Sequence, residues 1–206
     1  MEKLPSPPAR FTIPAITRDC RRGERLWRIY FMGGDHPTRW NELRHFGPTG
    51  SRFDHHTRPK RMQPRGILDA TMGSHAILTA LAEVFQEQRH IDRRRAEPWL
   101  AGFDLAHAVS LLDTGGAWPG RAGGSMALNS GSRSRAREWS RGIYTSYPAV
   151  EGILYPSSLK NQPCVALYER AENVLPVSPI FNERLDSPKL IDGLTLLAKE
   201  LHYTMS

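Results

Sequence analysis

Apolar residues recur at helical spacing in three segments of the chain. The first predicted helix covers residues 74–89, and the second covers residues 137–147, where Pro148 ends it. The third begins at Ser187, a residue type common at helix N-caps. The apolar positions that define one face are Ile77, Leu81, Val84 and Phe85 in the first helix and Leu190, Leu194, Leu197 and Leu201 in the third.

Short runs of aromatic and β-branched residues predict strands between these helices. The first, residues 26–31, alternates so that Arg28 and Tyr30 lie on the face opposite to Ile29. Residues 102–112 have the length of two strands or one bent strand. The other predicted strands are residues 66–70, 152–155 and 164–169. Helices and strands do not alternate regularly, so we predict an α+β fold with mostly antiparallel strands.

The rest of the pattern divides the chain into an arm and one domain. Residues 1–24 are proline-rich and then charged, which predicts an N-terminal arm without a strong element, followed by a single domain over residues 25–206. Residues 33–65 are loop-like, and a loop of this length in a compact domain is often functional. We expect a cytoplasmic protein, because apolar runs are too short for a membrane span and residues 1–11 lack an apolar signal core.

The chain has a net charge of +7 and several arginine-rich segments, which indicate a negatively charged partner. Nucleic acid, an acidic protein or a phosphate-bearing small substrate each complement such a surface. The sequence carries no helix-turn-helix, zinc or aromatic stacking motif, which makes direct nucleic-acid binding the less favoured interpretation. Cys20 and Cys164 lack metal spacing, and the adjacent His55 and His56 have no carboxylate at a suitable spacing. We therefore predict no metal site.

Polar residues with a candidate chemical role occur at four places. Arg28 lies within a strand and Arg52 lies in a loop, and a guanidinium group matches a pair of phosphate oxygens. Glu83 can stabilise positive charge on a ribose as a glycosidic bond breaks. Ser157 follows a predicted strand, and its hydroxyl group can hold an amide, with ordinary turn chemistry as the alternative. A pyridine dinucleotide contains phosphate groups, a ribose and an amide, and so offers a target for each of these side chains.

Glu83 lies on the side of its predicted helix opposite to the apolar face. Its neighbours there, Ala76, Thr79 and Ala80, are small, whereas a solvent-facing side usually carries long Lys, Arg or Gln side chains. Small neighbours predict space for a ribose beside the carboxylate. The alternative is an ordinary exposed glutamate.

The chain resembles the RES-domain family, which is named for its Arg, Glu and Ser residues. The resemblance runs from about residue 25 to residue 176 and is carried by LWRIYF, GSRFDHH, RGILDA followed by TALAEVFQ, and VEGILYPSS followed by CVALYERA. It implies an ADP-ribosyltransferase-like fold, with short, mostly antiparallel strands around a central cleft and flanking helices. It also implies a bacterial toxin that cleaves the nicotinamide–ribose bond of NAD+ by hydrolysis or phosphorolysis. The alternative within the family is transfer of ADP-ribose to a protein target.

The resemblance implies a role for each matching residue. Glu83 and Arg28 would be catalytic, with Arg28 also binding the substrate. The residues implied to bind the substrate are Arg52, Tyr30, Phe53 and Ser157, with Ser158 as the alternative to Ser157. It implies no permanently bound cofactor, with NAD+ as the substrate and phosphate as a candidate co-substrate.

The resemblance also implies a partner, and the chain departs from the family at one position. The partner is an antitoxin, expected to carry a helix-turn-helix domain and to form an oligomer with the toxin, with no role for a membrane. The positive charge of this chain, apart from the resemblance, predicts that the antitoxin is acidic. Asp69 stands where the family often has a tyrosine, so Tyr30 or another aromatic must replace it or the activity is weakened or retuned. The alternative of another class is a basic nucleic-acid-binding protein or an inactive regulatory protein.

Overall fold

The computed structural model describes residues 3–206 and shows a mixed fold of strands and helices. The strands are β1 (Thr17–Cys20), β2 (Arg25–Phe31), β3 (Arg44–Gly47), β4 (Arg61–Met72), β5 (His90–Ile91), β6 (Pro98–Asp104), β7 (Val109–Asp113), β8 (Gly152–Pro156), β9 (Pro163–Tyr168), β10 (Phe181–Arg184) and β11 (Thr204–Met205). The helices are α1 (Ala76–Phe85), α2 (Trp118–Arg121), α3 (Ala127–Ser130), α4 (Arg133–Ser146) and α5 (Ile191–Leu201), with 3₁₀ helices at Glu169–Val174 and Pro188–Leu190. None of the helices within residues 3–206 is long and apolar enough to cross a membrane.

Nine of these strands form one large sheet. Their order is β1-β7-β8-β9-β4-β2-β6-β10, with β3 paired to β4. Every pair in this sheet is antiparallel except β7 with β8. The short strands β5 and β11 form a separate parallel pair. The prediction of an α+β fold with mostly antiparallel strands is therefore confirmed.

The sheet opens between β2 and β4. The two strands pair only at Leu26 with Met72 and at Trp27 with Thr71. Beyond Trp27, β2 continues to pair with β6 on its other side. The earlier part of β4 pairs instead with β3, and its residues 67–71 pair with β9 on the other side. The two neighbours thus diverge after two residue pairs, which leaves a gap within the sheet.

The predicted alternation in β2 directs apolar and polar side chains to opposite faces. Ile29 packs with α1 and α5 in a core cluster that includes Leu81 and Leu194. Arg28 and Tyr30 belong to the other face, as predicted. The apolar stripe of α5 also packs into this cluster, since Leu194 is buried and Leu190, Leu197 and Leu201 are partly buried.

The observed elements differ from the predicted bounds where tertiary contacts decide them. The predicted strand 66–70 extends to Arg61–Met72, because β3 pairs with its first half. Residues 102–112 contribute to two strands, β6 and β7. Helix α4 begins at Arg133, before the predicted residue 137, because the Ser132 hydroxyl oxygen accepts a hydrogen bond from the backbone N–H of Arg135.

The N-terminal arm is more structured than the sequence predicts. β1 pairs antiparallel with β7 and forms one edge of the large sheet. Phe11 is buried, with its ring centroid 5.1 Å from that of Trp118 and 5.3 Å from that of Trp139. The prediction of an arm without a strong element was wrong in this respect. The short polar strand is formed by pairing with a distant segment, which no local pattern reports.

A carboxylate ties the middle of β4 to α4. Glu169 accepts hydrogen bonds from the Tyr144 hydroxyl group and from the backbone N–H of Gly66. The ring nitrogen Nε2 of His55 lies 3.7 Å from a Glu169 oxygen. Burial by itself raises the pKa of Glu169, but the nearby His55 ring and the hydrogen bonds from Tyr144 and Gly66 outweigh it and lower the pKa to about 2.

Glu169→Gln is expected to lower the free energy of unfolding at pH 7 by on the order of 2 to 3 kcal/mol, because the amide lacks the charge that these donors stabilise. Since the folded-state pKa is depressed, this contribution is full above the ordinary value near 4.5 and is lost as the pH falls toward 2. Chemical denaturation of both proteins between pH 7 and pH 3 measures it. Glu172→Gln, at an exposed position of the same 3₁₀ helix, is the control. A pH-independent difference would contradict the assignment.

Candidate active site

The gap between β2 and β4 holds a cleft of about 370 Å³. Its lining includes Arg28, Tyr30, Arg52 and Glu83, which are separated by up to 55 positions in the sequence. A smaller recess of about 70 Å³ is also lined by Arg28 and Glu83, together with Tyr155. The structure therefore brings four of the predicted site residues together.

Arg28 presents a buried guanidinium group to the cleft. Its side-chain nitrogen Nη1 donates to the backbone carbonyls of Trp40 and Glu42, each at 3.1 Å. Its Nε is buried and has no hydrogen-bond partner among residues 3–206. Burial lowers the pKa of Arg28 to about 10, so the group stays protonated at neutral pH. Arg28 thus offers a fixed positive charge and an unused donor.

Three further arginines line the cleft. Arg52 donates from Nη1 to the backbone carbonyl of Gly131 at 2.8 Å. Burial lowers the pKa of Arg52, and the charge of Arg133 lowers it further. Arg44 and Arg133 were not predicted from the sequence, since neither lies in a local pattern that marks a site. Four guanidinium groups around one cleft favour a ligand with several negative charges.

Glu83 is held from two sides. The Ser157 hydroxyl group donates to Glu83 Oε1 at 2.6 Å. The Ser157 oxygen accepts from the backbone N–H groups of Leu159 and Lys160, each at 3.2 Å, which directs its proton toward the carboxylate. The amide nitrogen of Gln86 lies 3.3 Å from Glu83 Oε2. The carboxylate is partly exposed at the cleft, so its orientation is set before any ligand arrives.

The contact with Glu83 distinguishes the two adjacent serines. Ser157 is 3% exposed, whereas Ser158 is exposed and lies outside this hydrogen-bond network in the part of the chain that the structure describes. Ser157 lies behind Glu83 and is not among the residues that line the cleft. In this structure it acts on the cleft through the carboxylate.

The two aromatic residues predicted to bind substrate occupy different environments. Tyr30 lines the cleft, and its hydroxyl group donates to Asn182 Oδ1 at 2.8 Å. Phe53 differs from the prediction, because it is only 1% exposed and packs in the core. Its ring centroid lies 4.6 Å from that of Tyr155, which does line the cleft. Phe53 therefore supports a cleft aromatic instead of contacting a ligand itself.

Tyr155 is a cleft residue that sequence reasoning missed. It lines both the cleft and the recess and is 9% exposed. Burial raises the pKa of Tyr155 well above its ordinary value, so the phenol stays neutral. Its position in the GILYPSS motif, two residues before Ser157, was the available signal. Tyr155 and Tyr30 supply aromatic rings at a cleft where Asp69 replaces the expected tyrosine.

The small residues beside Glu83 serve mainly to pack α1. Ala76 is 3% exposed and Thr79 is fully buried, so neither leaves open space for a ribose as predicted. The Thr79 hydroxyl group donates to the carbonyl of His75 within its own helix turn. Ala80 alone among the three lines the recess. Small side chains let the helix lie close to the sheet, and this brings Glu83 to the cleft.

The DHH sequence stabilises a loop. Asp54 is fully buried and accepts from the Thr49 hydroxyl at 2.8 Å and from His56 Nδ1 at 2.7 Å. Arg44 Nη1 lies 3.1 Å from the same carboxylate. These contacts and the charge of Arg44 outweigh burial, which would raise the pKa of Asp54, and hold that pKa well below its usual range. Within residues 3–206, no group of three or more His, Cys, Asp or Glu residues is placed to hold a metal ion.

Comparison with known proteins adds family membership to this geometry. A search of curated proteins finds no match. Among solved structures, the chain is similar to a chain of the M. tuberculosis MbcT–MbcA toxin–antitoxin complex, with a TM-score of 0.55 and 14% sequence identity. The alignment covers 86% of this chain and 92% of that chain, and at this identity it shows a shared fold. The model of the RES domain matches residues 25–186, which is most of the chain, and the protein therefore belongs to the RES-domain family.

Proposed function

We propose that this protein is the toxin of a toxin–antitoxin system and that it depletes NAD+ by cleaving the bond between nicotinamide and ribose. The observation that carries the proposal is the oriented Glu83 carboxylate, which faces a cleft lined by four arginines. A dinucleotide combines a diphosphate with a ribose that becomes positively charged during cleavage. The cleft has complementary charges for both parts.

The arginines provide the affinity for the diphosphate. Arg28 and Arg52 are both partly committed to backbone carbonyls, which fixes their guanidinium planes and leaves other N–H groups free for a ligand. A fixed fork of donors suits phosphate oxygens better than a mobile ammonium group does. In a site shielded from water, such charge-assisted hydrogen bonds are stronger than at an exposed surface.

Glu83 supplies the stabilisation of the transition state. As the C1′–N bond breaks, its electron pair moves to the nicotinamide nitrogen, which leaves as neutral nicotinamide. The ribose then carries oxocarbenium character, and the Glu83 carboxylate stabilises this positive charge. Water adds to C1′ and releases a proton to give ADP-ribose, whereas phosphate adds to give the phosphorylated product. Ser157 positions the carboxylate through the 2.6 Å hydrogen bond.

The partner in this proposal is an acidic antitoxin with a helix-turn-helix domain. The similar solved structure is a toxin–antitoxin complex, which supports a partner of this kind. The charge of +7 on this chain favours an acidic partner. An ADP-ribosyltransferase-like fold, with the substrate in the gap between β2 and β4, is part of the same proposal.

Purified protein is expected to consume NAD+ and to release nicotinamide, and Glu83→Gln should lower kcat/KM at least about 100-fold because the amide cannot stabilise the oxocarbenium charge. Chromatography of the products with and without phosphate separates hydrolysis from phosphorolysis. Glu172→Gln, a substitution of the same kind at an exposed position, should retain activity.

Survival of NAD+ with folded wild-type protein under both conditions would overturn free NAD+ cleavage. Label from NAD+ that stays on a protein band in a lysate would point instead to ADP-ribosyl transfer.

Arg28→Lys should raise KM for NAD+ by about 10-fold or more. The guanidinium group of Arg28 can bind the carbonyls of Trp40 and Glu42 and a ligand at the same time, and lysine lacks this planar fork of donors. Steady-state kinetics measure the change. Arg25→Lys is the matched control on the same strand, where an exposed Arg25 pairs with Asp104 at 2.8 Å. An unchanged KM in Arg28→Lys would remove Arg28 from substrate binding.

Ser157→Ala should lower kcat by about 10- to 100-fold with a smaller effect on KM, because a hydrogen bond to the Glu83 carboxylate is lost at the step where charge develops. Ser158→Ala, at the exposed neighbouring position, should leave both constants unchanged. Kinetics on both variants, with thermal unfolding to verify the fold, provide the test. Equal effects of the two substitutions would refute the positioning role of Ser157.

A further inference from the structure

Asp69 is a carboxylate of the cleft that the proposed reaction does not use. It lies in the middle of β4, where it pairs with Ala166 of β9. Its side chain lines both the main cleft and the recess beside Glu83. A negative charge at this point does not help to bind a diphosphate. Binding of the diphosphate therefore does not explain the carboxylate of Asp69, whose contacts point to another role.

The surroundings of Asp69 leave its carboxylate free to accept a hydrogen bond. No Lys, Arg or His nitrogen within residues 3–206 forms an ion pair with it at 4.0 Å or less, although the charges of Arg44 and Arg28 lie near enough to lower its pKa. Burial is the larger influence and raises that pKa. The Ser51 hydroxyl group also acts on the carboxylate. Asp69 is thus a partly desolvated acceptor without a full set of partners.

The recess of about 70 Å³ shares Asp69 and Glu83 with the main cleft of about 370 Å³, and the two together have the space and the walls for a flat ring with one polar substituent. Ala70, Ala80, Val84 and Tyr155 give the recess apolar and aromatic walls. Thr71 also lines it, but the Thr71 hydroxyl is already bonded, to the carbonyl of Ala76 at 2.7 Å.

The charged groups of the recess are the carboxylates of Asp69 and Glu83 and the guanidinium group of Arg28, which two backbone carbonyls hold. Glu83 is held by Ser157, which leaves Asp69 to meet the substituent of a bound ring.

We propose that Asp69 is a specificity-determining residue that selects a pyridine ring carrying a carboxamide over one carrying a carboxylate. The carboxamide N–H donates to the Asp69 carboxylate, whereas a carboxylate on the ring places a second negative charge beside it. This inference rests on the proposed cleavage of NAD+, because the recess lies beside the Glu83 carboxylate where the bond to the ring would break. It assigns the departure from the family tyrosine to substrate choice.

The test compares kcat/KM for NAD+ and for nicotinic acid adenine dinucleotide, which differ only in this substituent. Wild-type protein should prefer NAD+ by about 100-fold or more, since like-charge contacts in a desolvated site strongly disfavour binding. Asp69→Asn should reduce this ratio at least about 10-fold, mainly by accelerating cleavage of the acid dinucleotide, because the amide removes the repulsion. Asp19→Asn makes the same charge change at an exposed position of β1 and should keep the wild-type ratio.

The outcomes separate this inference from the proposed function. If the wild-type protein cleaves both dinucleotides equally well, this result alone overturns the role of Asp69, while the proposed cleavage of NAD+ is still supported. The same holds if Asp69→Asn is folded and active but keeps the wild-type ratio. A folded wild-type protein that cleaves neither dinucleotide overturns both proposals together. Free nicotinamide should inhibit the wild type more strongly than free nicotinate does. This difference should be smaller in Asp69→Asn.

Discussion

The divergence of β2 from β4 is the constraint on which the site depends. A fully paired sheet has no room for a ligand between adjacent strands, which lie about 4.8 Å apart. Here the pairing stops after Leu26 and Trp27, and β3 takes the place of β2 along the earlier part of the same edge of β4, while β2 stays paired with β6 on its other edge. The edges that face the gap are therefore short: the last residues of β2 and residues 68–70 of β4. The gap opens where β2 changes from apolar packing to Arg28.

The same gap concentrates buried charge, which is costly unless partners are present. Backbone carbonyls stabilise Arg28 and Arg52, and Asp54 pairs with Arg44. The Nε of Arg28 still has no partner in the part of the chain that the structure describes. A ligand with phosphate groups would complete this network. The segment between β2 and β4, which includes β3, supplies Arg44, Arg52 and Asp54 to this network.

Local pattern predicted the three longer helices, the buried strands and the alternation in β2, because these depend on which side chains fit one face of one element. It missed the short helices α2 and α3. It failed for β1 and β3, which are short, polar and formed only by pairing with distant strands. It also misjudged Ala76 and Thr79, which pack the helix onto the sheet. Periodicity shows which face of a helix is distinctive but not what that face will meet.

For the site, the sequence by itself determined the family motifs and the candidates Arg28, Arg52 and Glu83, because these residues stand out within their local segments. Only the tertiary structure decided that Ser157 holds Glu83, that Phe53 is buried behind Tyr155, and that Asp69 lines the recess. Residues separated by tens of positions meet there because β4, α1 and β8 converge on one gap. A hydrogen bond or a cleft depends on distances between such segments, and these are fixed by packing of the whole chain.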